Sequence, residues 1–271
     1  MMYLEVDVYE KTQPLDSVIH FLTVTLKELG WNNGKDDLVM DVGCGPGNVT
    51  VKWILPIFPN LKKMIAMDYL PSMIKAATTR NYHPKIEYHT ANFEDKSTVE
   101  RWKGQISKLT SILSFHWFKD QAKSFQIIYD LLQPGGEAAC YFILGSDYYD
   151  AVLKIANDQK WKSFFEKSDI CTPESYYKKY DSSHYRKLVE GIGFKVVLCR
   201  CEFKINKLPS HEEAKDLFYS ICPLVPHVPE NERNIFKDEL YQSVLKNGGR
   251  SEDGTPLHRA STIEIVIKKP D

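Results

Sequence analysis

Three glycines at alternate positions stand in the segment Asp41-Val-Gly-Cys-Gly-Pro-Gly47. Gly43, Gly45 and Gly47 let a backbone turn sharply and come close to a bound group. A dinucleotide loop needs its third glycine three positions after its second, and Asn48 occupies that place. The G-x-G-x-G spacing, with Asp41 two residues before the first glycine, fits S-adenosylmethionine better than NAD. Asp68 follows 21 positions after Gly47, where a carboxylate at a strand end can accept hydrogen bonds from both hydroxyls of a ribose. Met73 and the pair Asn92-Phe93 suit an adenine slot, with an apolar face from Phe93 and an amide from Asn92. Ser114-Phe-His-Trp117 lies further along. There Trp117 can wall an apolar acceptor pocket and donate its indole N–H, and His116 is the titratable side chain that can orient an acceptor or deprotonate a hydroxyl.

These residues need strands and helices to hold them. Leu38–Val42 reads as a short buried strand by its length and flanks. Residues 48–55 read as a helix closed by Pro56, Met64–Met67 as a second strand, and Pro71–Thr79 as a helix with proline in its first turn. Ile86–Thr90 is a third strand, and Ile112 and Leu113 lie in a fourth. Gln121–Leu132 has an apolar stripe at Ala122, Phe125, Ile128 and Leu132; Pro134-Gly135-Gly136 stops it, and Ala138–Leu144 is a fifth strand. Such alternation predicts an α/β fold, a parallel sheet with helices on both faces, with ligands outside the carboxyl ends of the strands. Ser182 or Ser183 is read as the cap of a helix running to Glu190. Phe194–Cys201 and Thr262–Ile267 are read as late strands, and Asn234–Leu245 as a helix. The chain is expected to be a single domain over 1–271, with a cofactor-binding half at 1–144. Two insertions, about 145–193 and 205–260, are read as a helical cap over the site, the alternative being ordinary helices elsewhere on the sheet.

Composition narrows the function classes. Hydrophobic residues make up 43% of 271 and charged residues 26%, with a formal net charge of −1. A buried core is affordable on that balance, and no basic surplus argues for nucleic acid or an anionic membrane. No apolar stretch reaches the ~18 residues of a membrane span, and Met1–Lys11 lacks the layout of a signal peptide. The six cysteines show no CxxC pair, so scattered reduced thiols in a cytoplasmic protein are expected, and no metal site.

Tyr9, the Asp41–Gly47 loop, Asp68 and Ser111-Ile-Leu-Ser-Phe-His-Trp-Phe-Lys-Asp-Gln121, with Val189–Phe194 and Ile221-Cys-Pro-Leu224, together resemble the arthropod juvenile hormone acid (farnesoic acid) O-methyltransferases. These are class I S-adenosylmethionine-dependent methyltransferases. The resemblance implies a Rossmann-like seven-stranded sheet with an antiparallel last hairpin. It implies transfer of the cofactor's methyl group to farnesoic acid or an epoxidised relative, in juvenile hormone biosynthesis. Tyr9, Cys44, Tyr69 and Ser111, in or beside the matched motifs, join the expected cofactor wall. The family holds the substrate carboxylate with the tryptophan matching Trp117 and an N-terminal glutamine, whose place, counted from Tyr9, is Asp16 here. Gln13, one helical turn earlier, is the substitute. Ser107 stands where relatives carry an acid. Because a carboxylate is already ionised at neutral pH, with a reference pKa near ~4, no obligatory base is expected. The partner is a small molecule, and the protein is expected to be a monomer or homodimer. Two other readings remain: an N- or O-methyltransferase for another small acceptor, with Asp16 pairing an amine, and a non-catalytic binder of the cofactor or of a lipid-like acid.

Overall fold

The computed structural model describes residues 6–11, 14–33, 38–166 and 172–271. Seven strands form one sheet in the order β3-β2-β1-β4-β5-β7-β6: β1 (Leu38–Val42), β2 (Lys63–Asp68), β3 (Ile86–Thr90), β4 (Ile106–Ile112), β5 (Leu132–Ser146), β6 (Lys195–Lys207) and β7 (Leu257–Lys268). The first five pair in parallel, while β7 runs antiparallel to both β5 and β6. The sheet is therefore mixed, as the resemblance implied, and not wholly parallel as the alternation alone suggested.

The period of two along each strand divides the core. Met40 and Val42 face one apolar layer with Phe115, Phe125, Phe142 and Tyr185, whereas Val39, Met64, Ala66 and Tyr141 face another with Phe21, Leu22, Leu26 and Ile54. The first layer is covered by α5 (Gln121–Leu131) and α9 (Ser182–Ile192). The second is covered by residues 16–28 (α2), which are α-helical at both ends with a wider π-helical turn at Phe21–Thr25 between.

Several elements differ from their reading in sequence. β4 starts at Ile106 and ends at Ile112. Leu113 lies beyond it at φ 54°, a left-handed turn that aims the following residues at the site. Residues 48–54 (α3) widen into a π-helical turn, and Pro56 sits inside a further 3-10 turn, Leu55–Ile57, instead of ending the helix. The cap of α9 is Asp181, whose Oδ1 accepts from the backbone N–H groups of Ser183 and His184, each at 3.0 Å. The part of 145–193 that forms α9 packs on the sheet through Tyr185 and Val189, so it does not belong with a cap. The rest of the two insertions packs together. α6 (Asp147–Ala156), the short α7 (Lys162–Phe165), α10 (His211–Ser220) and α11 (Arg233–Lys246) share an apolar cluster built on Tyr148, Val152, Trp161, Phe218, Phe236 and Leu240, and α8 (Glu174–Lys178) is held to β5 by Ser175, which donates to Leu144 O at 3.1 Å. Ile143 and Ala260 join that cluster, which fixes it at the carboxyl end of β5.

Removing the Asp181 cap leaves two N–H groups without a partner. Asp181→Ala is expected to lower the urea midpoint at unchanged slope; an unchanged midpoint would show that water replaces the carboxylate at no loss.

Candidate active site

The carboxyl ends of β1, β2 and β4 are tied at the glycine loop. Gly43 and Cys44 donate their N–H groups to Met67 O at 2.8 and 2.9 Å, and Gly45 N–H donates to Asp68 Oδ2 at 2.9 Å. Asp68 Oδ1 accepts from Leu70 N–H at 2.9 Å. Gly43 has φ 77°, and a Cβ there would lie 2.2 Å from Ser114 Cβ, so both its conformation and its neighbour demand glycine. Ser114 in turn donates to Val42 O at 2.9 Å and shares a hydrogen bond with Ser111 Oγ at 2.7 Å. Ser111 is thus a buried brace for the loop.

Over this loop lies α1 (Val6–Lys11). Glu10 O accepts from Asn48 Nδ2 at 3.2 Å, and the Glu10 carboxylate accepts from Arg80 at 2.6 Å and Asn81 at 2.8 Å, both at the end of α4 (Pro71–Arg80). The same helix carries Tyr9. Its ring would sit 3.5 Å from a Cβ at Gly45, and burial, then the Asp68 charge, push its hydroxyl up to about 12. Asp41 is buried beneath the loop, accepting from Thr50 Oγ1 at 2.7 Å and Thr110 Oγ1 at 2.9 Å. Burial raises its carboxyl to about 6 against the pull of those two hydroxyls. Burial also raises Asp68.

One cleft opens above these groups, enclosing about 1190 Å³ with the solvent at its mouth included. One end is walled by Tyr9, Asp41, Gly43, Cys44, Gly45 and Asp68. The remainder is largely apolar, with Leu15, Val18, Leu113, Ile143, Leu217 and Ile221 beside His116 and Trp117. Trp117 is half-buried and tilted against His116 at 4.8 Å between rings. His116 is buried, with Nδ1 unpartnered, and burial drops its imidazole to about 3.

The other expected residues fall elsewhere. Gly47 is held by Ala77 and Tyr88 rather than by the cleft. Tyr69 is exposed. Met73 is buried, Phe93 stacks on Phe118 in the core, and Asn92 Oδ1 accepts from Glu94 N–H; none of the three is on the cleft wall. Asp16 is exposed at the start of α2, off the wall, while Leu15 and Val18 of the same segment face inward. Gln13 lies outside the described residues. Ser107 donates to Leu38 O at 3.1 Å. Sequence reasoning did not single out Leu217, and gave Ile221 no wall role beyond its place in the resemblance, although their i, i+4 spacing marks one helix face. It also passed over His258, which only the return of β7 brings to the cleft. Among the described residues no cluster of His, Cys, Asp and Glu could hold a metal ion, and no helix is long and apolar enough to cross a membrane.

A family profile described as a methyltransferase domain matches residues 39–136, a span holding the glycine loop, Asp68 and the His116-Trp117 turn. That span is a methyltransferase domain, and the seven-stranded sheet around it has the fold of class I S-adenosylmethionine-dependent methyltransferases. It is similar to the juvenile hormone acid O-methyltransferase of Drosophila melanogaster, 22% identical over 82% of this chain and 77% of that one. The enzyme of the same name from Bombyx mori is 23% identical over 72% of this chain and 70% of its own. Among solved structures, a Bacillus halodurans C-125 protein assigned as a methyltransferase superposes with a TM-score of 0.57. It is 17% identical, over 94% of this chain and 98% of that one. The class implies S-adenosylmethionine as methyl donor, and the residues present fit it. Each Asp68 oxygen has a lone pair left after its backbone bond, and the Gly43–Gly45 backbone is bare of side chains where a ligand must approach.

Two outcomes test these groups. Asp68→Asn keeps an acceptor for Leu70 but loses the charge facing a ribose. We expect S-adenosylhomocysteine to bind at least tenfold more weakly by calorimetry, since a hydrogen bond to a charged group is worth about 1.5–3 kcal/mol; a change below threefold would remove Asp68 from ribose binding. For Asp41, an unfolded carboxyl titrates near ~4 and the folded one at about 6. Between those values the folded state keeps a proton that the unfolded state has released, so the Asp41 contribution to stability falls as pH rises from 4 to 6, against the rise that the buried His116 and His258 give over the same range. Asp41→Asn abolishes that slope, worth about 2–3 kcal/mol in all. Urea titrations of the ligand-free protein across this range would show it, and equal slopes in both proteins would place the proton elsewhere.

Proposed function

We propose that this methyltransferase acts on the carboxylate of a small apolar acid of the juvenile hormone acid or farnesoic acid kind. The observation that carries the reading is the acceptor end of the cleft. Its wall is aliphatic, its polar members include the neutral His116 and the Trp117 indole, and the only carboxylates on the described wall are Asp41 and Asp68 at the other end. An amine acceptor would want an acid beside it, and Asp16 is exposed off the wall. A hydroxyl acceptor would want a base, and an imidazole held near about 3 is a poor one at neutral pH. A carboxylate needs neither. The two similar proteins from Drosophila melanogaster and Bombyx mori carry names of the same chemistry.

Bound S-adenosylmethionine supplies an electrophilic methyl group on a sulfonium. The protein's part is alignment and removal of water. Asp68, the Gly43–Gly45 backbone and Tyr9 hold the donor end. Leu113, Ile143, Leu217 and Ile221 take the hydrocarbon of the acid and strip water from its head, and Trp117 donates its indole N–H to a carboxylate oxygen. Such positioning can supply several kcal/mol, up to about 7–11 in the best cases. We read residues 147–165 and 211–246 as the cap that closes this site. The five described cysteines are free, which suits a cytoplasmic enzyme that works as a monomer or homodimer.

With labelled cofactor, a panel of apolar acids should yield esters, while matched amines and alcohols yield nothing. Trp117→Phe should lower kcat on the acid about tenfold or more with little change in cofactor affinity, because the lost donor touches the acceptor only. Asp16→Gln should leave both constants within twofold. Methylated amine as the main product, or a collapse of activity in Asp16→Gln, would sink the acid reading.

A further inference from the structure

His258 stands 142 positions beyond His116 and lines the same cleft. It is buried at 5% exposure, and its Nδ1 has no hydrogen-bond partner. Its Nε2 lies 3.3 Å from Ser146 Oγ. That hydroxyl has one hydrogen, which goes to Arg259 O at 2.9 Å, and Oγ already accepts Tyr148 N–H at 3.2 Å. Nε2 must therefore carry the proton of the His258–Ser146 bond, and in a neutral imidazole Nδ1 is left as a bare lone pair. A bare lone pair repels a carboxylate.

We propose that the acid enters this cleft together with one proton, which settles on Nδ1 of His258 and makes it the cationic partner of the acceptor carboxylate. This rests on the acid reading above. A lysine or arginine in its place would oppose entry of the cationic cofactor. A neutral imidazole admits the cofactor first and becomes charged only when an anion arrives. The balance closes: carboxylate and proton bind, the methyl group moves from sulfur to a carboxylate oxygen as the S–CH3 bond breaks, and the products are a neutral ester and a neutral thioether. The imidazolium then has no anion beside it and returns its proton to solvent. In the free protein burial alone holds His258 down to about 4, so at neutral pH the site waits uncharged. His258 is a positioning residue here, and it takes no proton from the acceptor.

The titratable and charged groups around it are few. His116 faces it from the turn after β4, and charge on His258 opposes protonation of His116. From α6, Tyr148 donates to Phe218 O at 3.1 Å, and Asp147 interacts with Arg259. From α10 the neighbour is the Phe218 ring at 5.9 Å, and from β6 the paired residue is Asn206. Asp41 and Asp68 lie at the cofactor end.

The direct test is calorimetry of farnesoic acid binding to the enzyme loaded with S-adenosylhomocysteine, in two buffers of different ionisation enthalpy at pH 7. We expect uptake of about one proton per acid bound. Kinetically, KM for the acid should rise up to tenfold per pH unit from pH 6 until it levels at the pKa of the bound imidazole, with KM for the cofactor flat. His258→Asn puts a permanent amide donor near the Nδ1 position. It should abolish the pH slope of KM for the acid, which also separates His258 from Asp41. His258→Leu should raise KM for the acid at least tenfold at pH 6.5. Ester formation with no proton uptake, or a His258→Asn variant with the wild-type slope, overturns the inference and leaves the acid reading standing. Neither binding nor ester formation with farnesoic acid or the acid panel overturns both.

Discussion

Everything in the site hangs on how closely three strand ends can be drawn together. Gly43 and Cys44 both donate to Met67 O, Ser114 donates back to Val42 O, and the missing Cβ at Gly43 leaves the 2.2 Å gap that Ser114 fills. A side chain at position 43 would push the turn after β4 away from the loop after β1. That turn carries His116 and Trp117, so the distance between donor end and acceptor end is set by one hydrogen atom on Gly43. The glycine therefore serves geometry between ligands as much as contact with one of them.

The second constraint is electrical. The cleft buries Asp41, Asp68, Tyr9, His116 and His258, and burial shifts each towards its uncharged form. On the acid reading, a cationic donor and an anionic acceptor would bring their own charges into a space where little else is charged. Attraction between them is not diluted by fixed ions, and the acceptor oxygen keeps its electron density. The carboxyl groups Asp41 and Asp68 and the imidazoles of His116 and His258 all line this cleft.

Much of this was legible along the chain. The bounds of β1 and β3 are those that short apolar runs give, and the loop, Asp68 and Trp117 follow from spacing. β4 was hidden, because Ser107, Lys108, Thr110 and Ser111 break its apolar pattern. Each is satisfied inside the fold: Ser107 by Leu38 O, Lys108 by Glu137, Thr110 by Asp41 and Ser111 by Ser114. A polar strand at the centre of a sheet is readable only once its partners are known. Asp16 misled for a related reason. Counting along a helix gives the position but not the face, and here Leu15 and Val18 take the inward one. Met73, Asn92 and Phe93, read in sequence as an adenine slot, are off the described cleft wall, because strand ends that lie side by side need not open to the same cleft, and Phe93 packs on Phe118.

His258 could not be found by motif because it belongs to no local pattern. Its place depends on β7 inserting antiparallel between β5 and β6, so that the start of the strand, and not its end, reaches the carboxyl edge of the parallel strands. In a wholly parallel sheet the residue at the start of a strand would sit at the far edge, away from ligands. The reversed strand thus gives the acceptor pocket a wall from the last part of the chain. It also seats Ala260 in the cluster that α6, α10 and α11 share. Acceptor chemistry and cap packing are therefore coupled through one strand, while the donor end rests on β1, β2 and β4.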